Sequence, residues 1–176
     1  MLHLITGGSG SGKSAYAENC IVKLGEAGRI YIATMYPFDE ESHQRIARHR
    51  EMRKEKKFQT VECYTGLKSL ALAPGSNVLL ECMSNLTANE IYQQDGAGEY
   101  TVQEILKGVR HLRDVCANLV IVSNEIFSDG IDYDEETIRY QRYLGDINCQ
   151  IAAWADLVTE VVYGIPITIK GDAPKL

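Results

Sequence analysis

Eight residues near the start of the chain form a pattern that strongly restricts the possible folds. The stretch Gly7–Ser14 reads GGSGSGKS, follows the apolar run Leu2–Thr6, and opens a segment with helical periodicity, Lys13–Ala27. Glycines let such a loop wrap a polyphosphate with its backbone N–H groups pointing inward, and the helix dipole favours the negative charge. Lys13 is expected to reach the outer phosphates, and the Ser14 hydroxyl is expected to bind Mg²⁺. The alternative is an ordinary Gly/Ser-rich turn, which would not require a strand before it and a helix after it. We therefore predict a P-loop nucleotide site.

Short apolar runs alternate with helical patterns along the rest of the chain. This alternation predicts an α/β fold of the P-loop type, with a mainly parallel sheet covered by helices on both faces and an antiparallel C-terminal edge. No repeat or long linker divides the 176 residues, so we predict a single nucleotide-binding domain over residues 1–176. The predicted strands after the first are Arg29–Met35, Thr60–Cys63, Asn77–Cys82, Leu119–Ser123, Leu157–Tyr163 and Ile167–Lys170, and the predicted later helices are Asp39–Lys57, Tyr100–Cys116 and Asp134–Trp154.

Composition narrows the class of partner. The chain carries 18 basic and 24 acidic residues, a net charge of -6, which argues against nucleic acid or an anionic membrane as the main partner. Its five cysteines are odd in number and form no CxxC pair, which is typical of reduced thiols in a cytoplasmic protein. No apolar run approaches the ~20 residues of a membrane span, so none is expected.

Acidic residues follow two of the predicted buried strands. Glu81 closes the run Val78–Leu80 and is the first candidate for a metal ligand, against the alternative of an ordinary polar residue at a strand exit. Glu125 follows the next strand and is the second candidate, with the same alternative. Three further acids lie close together in sequence but lack the full calcium-loop spacing, so a solvated loop is expected there: Asp129, Asp132 and Asp134.

The predicted helix Asp39–Lys57 has too few apolar residues to form a stripe that faces the core. It holds seven of the chain's 18 Lys and Arg residues. Arg45 and Arg53 stand four residues before and after His49, so all three share one helical face. Neighbouring cations should lower the pKa of this imidazole and keep it neutral and nucleophilic, and they would attract a triphosphate. The pattern leaves two hypotheses open, a nucleophilic His49 and a solvated helix face.

Taken together, these motifs resemble the adenosylcobinamide kinase/adenosylcobinamide-phosphate guanylyltransferase family of the late cobalamin pathway. The resemblance runs over nearly the whole chain, and the order and spacing of its motifs make it specific. The matching stretches are LITGGSGSGKS from Leu4, YIAT from Tyr31, RIARHR from Arg45, VEC from Val61, LLEC from Leu79, SNE from Ser123 and GDINCQIA from Gly145.

The resemblance implies a RecA-like P-loop fold, a homotrimer, a GMP-histidine intermediate at His49, and Mg²⁺ with GTP. It also implies a corrinoid substrate, which the segment Phe127–Arg142 is expected to contact. The nucleotide contacts that it implies are Gly7, Gly8, Ser9, Gly10, Ser11, Gly12, Lys13, Ser14, Thr34, Met35, Arg50, Glu51, Met52, Arg53, Glu62 and Glu81.

Two reactions are therefore expected. In the first, ATP or GTP phosphorylates the aminopropanol hydroxyl of adenosylcobinamide. In the second, His49 attacks the α-phosphate of GTP and passes GMP to the substrate phosphate, with Lys13 and Mg²⁺ neutralising charge and the weakly buried helix moving as a lid. Two rival hypotheses remain: a P-loop kinase for another small metabolite, and a non-catalytic nucleotide-dependent regulatory module.

Overall fold

The described part of the backbone forms seven strands, five α-helices and three short 3-10 helices. The computed structural model describes residues 1–25, 28–128 and 130–172, except the side chains of Glu41, Arg45, His49 and Met52. The strands are β1 Leu2–Thr6, β2 Arg29–Ala33, β3 Gln59–Glu62, β4 Asn77–Glu81, β5 Asn118–Val122, β6 Leu157–Val162 and β7 Ile165–Lys170. The helices are α1 Lys13–Lys23, α2 Glu40–Arg53, α3 Met83–Tyr92, α4 Thr101–Val115 and α5 Glu135–Trp154.

All seven strands belong to one sheet, in the order β3-β2-β4-β5-β1-β6-β7. Every neighbouring pair is parallel except β6 with β7, which confirms the predicted mainly parallel sheet with an antiparallel C-terminal edge. Parallel strands end at the same edge of a sheet. The ends of β1, β2, β4 and β5 therefore lie side by side, with Glu81 paired to Val122 and Ala33 paired to Glu81. The single domain stays a prediction.

Both faces of the sheet are buried because its central strands are apolar on both sides. All five residues of β4 are buried, and four of the five in β5. On one face α1 packs through Ala17 and Ile21 against Leu79 and Val120. On the other face α3, α4 and α5 form a larger core that includes Leu80. Among the described residues, no helix combines the length and apolar character that crossing a bilayer requires.

Helix α3 is the element that sequence periodicity did not predict. It is only ten residues long and contains Ser84, Asn85, Thr87 and Asn89, all weak helix formers. Its buried face, which includes Leu86, packs into the larger core, so tertiary contact overrides its propensity. The other predicted elements are present with ends shifted by a few residues; the predicted end of α1 at Ala27 lies outside the described residues. Asp134 forms the N-cap of α5, its Oδ1 accepting from the Thr137 amide at 2.7 Å.

The charged helix α2 is fastened mainly at its two ends. At the start, the Asp39 carboxylate accepts from the Ser42 amide at 2.7 Å, and the Ser42 hydroxyl accepts from the Asp39 amide at 3.0 Å. Past its end, Lys56 Nζ lies 2.5 Å from the fully buried Glu18 of α1, and Arg29 donates to the Lys56 carbonyl at 2.9 Å. These contacts tie the end of α2 to the helix that follows the P-loop.

Replacing Lys56 by Met should lower the free energy of unfolding by about 3 kcal/mol, because it leaves the buried Glu18 carboxylate without its cation. Urea unfolding would measure this. The matched control is Lys54→Met, whose ion pair with Glu51 is exposed, with N and O atoms 3.7 Å apart, and should contribute less than about 1 kcal/mol. The double variant Glu18→Leu/Lys56→Met should recover most of the loss. Equal effects of the Lys54 and Lys56 variants would contradict this account.

Candidate nucleotide-binding and catalytic site

The glycine-rich loop joins β1 to α1 and is held against the β6–β7 turn. Gly7 has φ 152°, and a Cβ there would lie 2.5 Å from the Val161 carbonyl oxygen, so no side chain fits. Gly12 has φ 91°, in the left-handed region, where it forms the N-cap of α1. The loop is closed by the Ser11 amide donating to the Gly8 carbonyl at 3.2 Å, while Gly164 donates to the Ser11 carbonyl at 2.8 Å. This is the strand–loop–helix geometry of a phosphate site.

Lys13 is directed into the loop rather than into solvent. Its side chain is buried, and its ammonium donates to the Gly8 carbonyl at 2.9 Å. Burial lowers the pKa of this lysine, while the negative charges of Cys82 and Glu81, if ionised, act in the opposite direction. An ammonium at this position can bind the outer phosphates of a nucleotide without a large rearrangement.

Glu81 lies at the end of β4, near Lys13. It is only 8% exposed, and its Oε2 atom is buried with no hydrogen-bond partner among the described residues. Leaving a buried carboxylate oxygen unpaired is costly, so this atom suits a cationic ligand. Mg²⁺ is normally held by one or two protein groups plus the nucleotide phosphates, and Ser14 with Glu81 fits that requirement. The described residues contain no group of three or more His, Cys, Asp or Glu that could hold a metal, which such a site does not need.

A cleft runs from Glu81 to α2. On its α2 side stand Ile46, Arg50 and Arg53, spaced by four and three residues and therefore on one helical face. Besides Glu81 and these three residues of α2, the cleft is lined by Tyr31, Ala33, Met35, Thr60, Glu62, Tyr64, Cys82 and Asn85.

Two arginines give the cleft positive charge. Arg53 is buried, with its guanidinium 3.4 Å above the Tyr31 ring, and its Nε and Nη1 atoms have no hydrogen-bond partner among the described residues. Arg50 pairs with Glu62 at 2.8 Å, but both side chains are about half exposed, so the pair contributes little to stability. An anionic ligand in the cleft would supply the acceptors that Arg53 lacks.

The far wall of the cleft is aromatic. Burial, and then the Glu62 carboxylate to which Tyr64 is hydrogen-bonded, raises the pKa of Tyr64 to about 12. This phenol is therefore neutral at pH 7 and serves as a donor to Glu62. Tyr36 packs edge-on against Tyr64, with ring centroids 5.1 Å apart. On this wall the ring of Tyr64 offers a flat apolar surface, and the Glu62 carboxylate can accept hydrogen bonds.

The structure brings together many of the residues expected to contact nucleotide. Met35, Arg50, Arg53, Glu62 and Glu81 line the cleft, and Gly7–Ser14 forms the loop. None of the described loop residues lines the cleft. Two further expected contacts also lie outside it: Thr34, which is fully buried and exchanges hydrogen bonds with Cys82, and Glu51, which is exposed. The side chains of His49 and Met52 lie outside the described part of the chain, but their backbone belongs to α2.

Seven of the residues that line the cleft are not among the contacts expected from the sequence: Tyr31, Ala33, Ile46, Thr60, Tyr64, Cys82 and Asn85. Cys82 and Asn85 follow the end of β4 directly, where ligands bind in open parallel sheets, so that rule could have found them. Tyr31 reads as an ordinary core residue of a buried strand, and Tyr64 follows a short exposed one. Nothing in their local sequence distinguishes these two tyrosines.

The fold and the glycine-rich loop define the protein as a P-loop nucleotide-binding protein. Two solved structures have the same fold over most of the chain. The flagellar accessory protein FlaH from Methanocaldococcus jannaschii matches with a TM-score of 0.52 and 11% identity, covering 97% of this chain and 78% of that protein. A KaiC-like protein from Pyrococcus horikoshii matches with a TM-score of 0.51 and 14% identity, covering 90% of this chain and 71% of the other.

Sequence relationships define the family. Residues 3–169 match the model of the cobinamide kinase / cobinamide phosphate guanyltransferase family, and the chain belongs to that family. The bifunctional adenosylcobalamin biosynthesis protein CobU of Escherichia coli is 36% identical over 97% of this chain and all of its own length. CobU of Salmonella typhimurium is 33% identical, and the match covers 97% of this chain and 100% of that protein. CobP of Pseudomonas aeruginosa is 32% identical, and the match covers 98% of this chain and 99% of that protein. The predicted resemblance and enzyme class are confirmed.

Lys13→Ala should weaken nucleoside triphosphate binding by roughly 30- to 1000-fold, because one or two charge-assisted hydrogen bonds of about 2 kcal/mol each are lost. Titration calorimetry with GTP and Mg²⁺ would measure this. Lys23→Ala, at the exposed end of the same helix, is the matched control and should bind as the parent does. Equal GTP affinity in the Lys13 variant and the parent would contradict the assignment of the phosphate loop.

Proposed function

We propose that this chain phosphorylates adenosylcobinamide and then transfers GMP from GTP to the product, through a covalent GMP adduct on His49. The observation that carries the proposal is the position of α2 along the cleft that starts at Glu81. Ile46, Arg50 and Arg53 line that cleft, and His49 stands three residues after Ile46 and four before Arg53. This spacing supports a position for His49 on the same face of the helix.

Two anchoring regions support the placement of GTP. The β- and γ-phosphates would bind Gly7–Ser14 and Lys13, while the guanosine would occupy the cleft. Guanine presents two adjacent N–H donor groups that a carboxylate can accept, and Glu62 is the acceptor on the aromatic wall. This arrangement supports GTP as the donor of the nucleotidyl group, and it puts the α-phosphate between the loop and α2.

The guanylyl transfer then has two balanced steps. A ring nitrogen of His49 forms a bond to the α-phosphorus, the bond from that phosphorus to the bridging oxygen breaks, and pyrophosphate leaves with the electron pair. A phosphate oxygen of the phosphorylated substrate next attacks the same phosphorus, and the N–P bond breaks. Arg50 and Arg53 stabilise the charge on the transferring group, and Lys13 stabilises the leaving pyrophosphate.

The metal proposal rests on Glu81 and Ser14. Mg²⁺ held there would neutralise the charge that develops on the phosphates during transfer. The buried Oε2 atom of Glu81, which has no hydrogen-bond partner among the described residues, supports this role.

Movement of α2 as a lid belongs to the same proposal. Of the helix's described side chains, only Ser42 and Arg53 are buried. A helix with so little buried surface can shift at small cost and bring His49 to the α-phosphate. The cytoplasmic location stays a prediction from cysteine usage.

His49→Ala should abolish covalent labelling by GTP carrying a radiolabel at the α-phosphate, while GTP binding through the phosphate loop persists. An N–P bond to imidazole is a phosphoramidate, so the parent's label should be lost in acid and retained in alkali. His43→Ala, an exposed histidine of the same helix, is the matched control and should label normally.

Labelling of the His49 variant, or guanylyl transfer without His49, would contradict the covalent mechanism. Absence of label in the parent, together with phosphorylation of another small metabolite, would favour the rival kinase hypothesis. Nucleotide-dependent binding of a protein partner without either reaction would favour the regulatory module.

Strand β7 supports the homotrimer that the resemblance implies. It is exposed along its whole length, and Ile165 and Ile167, which are 65% and 47% exposed, lie on one face. Ile169, which is 60% exposed, stands at a shift in the register between β7 and β6. An apolar stripe on an edge strand favours pairing with another chain. We propose that copies of this chain cover it.

Light scattering at micromolar concentration should give three times the chain mass of 19.6 kDa. Ile167→Lys should reduce the mass, because a charge on an edge strand opposes pairing. Thr168→Lys, on the opposite face of the strand, is the matched control. A parent that scatters as a monomer would contradict the trimer.

A further inference from the structure

A second cavity lies beside the phosphate loop, away from α2. It is bounded by Ser9 of the loop, by the segment that follows β5, and by the first turns of α5. Glu125, Ser128, Thr137 and Tyr140 are among its walls. Among the described residues, none lines both this cavity and the cleft that contains Arg53 and Glu62.

Glu125 is fixed in place at the loop end of this cavity. Its amide donates to the Gly7 carbonyl at 3.0 Å, which ties the residue directly to the phosphate loop. One carboxylate oxygen accepts from the Phe127 amide at 2.9 Å, and the other accepts from the Ser128 hydroxyl at 2.8 Å. Each carboxylate oxygen has a further lone pair, so the group can accept one more hydrogen bond in a set orientation. The two bonds to Phe127 and Ser128 already hold the carboxylate in place, so the further bond is available to a ligand.

The cavity opens at the end of the loop where a terminal phosphate would bind. The Lys13 ammonium, which binds outer phosphates in such loops, lies 2.9 Å from the Gly8 carbonyl. The next residue, Ser9, is exposed and lines the cavity. A group bound in this cavity would therefore face the γ-phosphate, whereas a group in the α2 cleft would face the α-phosphate.

The remaining walls suit a neutral molecule. None of the described residues that line the cavity is a lysine or arginine, so an anion would find no cationic partner there. Tyr140 donates to the Ser84 carbonyl at 3.4 Å, and burial raises the pKa of its phenol to about 12, so it stays neutral. Ile126 and Tyr133 add apolar surface, which favours an alcohol carried on a large, partly apolar molecule.

We propose that this cavity holds the alcohol that accepts the γ-phosphate, and that Glu125 is the catalytic base of that step. This inference rests on the proposed function, since it assigns the acceptor side of the kinase reaction. The acceptor oxygen forms a bond to the γ-phosphorus, and the bond from that phosphorus to the β,γ-bridging oxygen breaks, so the nucleoside diphosphate leaves with the electron pair. The hydroxyl proton passes to the Glu125 carboxylate, which is half-exposed and returns it to solvent.

The test separates the two reactions with Glu125→Gln, which keeps the size of the side chain and one acceptor for the loop. With cobinamide and γ-labelled GTP, the kcat of phosphorylation should fall by roughly 100- to 10000-fold. Covalent labelling by α-labelled GTP and the affinity for GTP should stay within about threefold of the parent, because neither uses this carboxylate. Glu136→Gln, an exposed acid on α5 outside the cavity, is the matched control and should phosphorylate normally.

A second variant tests the cavity itself. Thr137→Trp should fill the space and raise the KM for cobinamide at least about tenfold with an unchanged GTP affinity. The Asp134 carboxylate accepts from both the amide and the hydroxyl of Thr137, and the variant keeps the bond from the amide, so α5 should still form. Phosphorylation by Glu125→Gln within threefold of an active parent would overturn the role of Glu125, and an unchanged KM in Thr137→Trp would overturn the acceptor site. A parent that phosphorylates no cobinamide would instead contradict the proposed function.

Discussion

Parallel pairing of β4 with β5 and of β5 with β1 is the constraint on which the rest of the site depends. The pairings set Glu81 beside Val122, and Val122 beside Ile5, at one edge of the sheet. Each strand then leaves the sheet into a different polar segment: the phosphate loop after β1, Cys82 and α3 after β4, and Glu125 after β5. Because these backbones are buried and fully paired, the side chains that follow them are held at fixed separations without needing contacts to one another.

The charged helix α2 complements this rigid edge. Its exposed side chains contribute little to the core, and its ends are held by the Asp39–Ser42 cap and by the Lys56–Glu18 pair. Arg53 is the exception, since it is buried against Tyr31 and its Nε and Nη1 atoms have no hydrogen-bond partner among the described residues. Burying guanidinium N–H groups without acceptors is a cost in the free protein. We infer that nucleotide binding offsets this cost, which would couple the position of α2 to occupation of the site.

The sequence allowed the phosphate loop, the order of strands and helices, and the family to be predicted, because each depends on local pattern or on a motif. Five residues of the cleft walls were expected from the resemblance, Met35, Arg50, Arg53, Glu62 and Glu81. The others were not, since Tyr31 and Tyr64 come to line the same cleft as Arg53 only after β2, α2 and β3 have packed. Helix α3 was missed for a related reason, as its polar residues are stabilised by tertiary contact. The side chain of Glu125 was noted as a metal candidate, but its bonds to Phe127 and Ser128 depend on the loop conformation. The roles of His49 and of the other expected contacts stay predictions.

The central claim is that one GTP spans the phosphate loop and the cleft, with its pyrophosphate and GMP portions in separate parts of one site. Calorimetric titration of GMP into protein saturated with pyrophosphate and Mg²⁺ tests it most directly. The account predicts that one GMP binds per chain with pyrophosphate still in place, because the two ligands occupy different groups of residues. One-for-one displacement of pyrophosphate by GMP would show that both use the loop alone, and it would contradict the account.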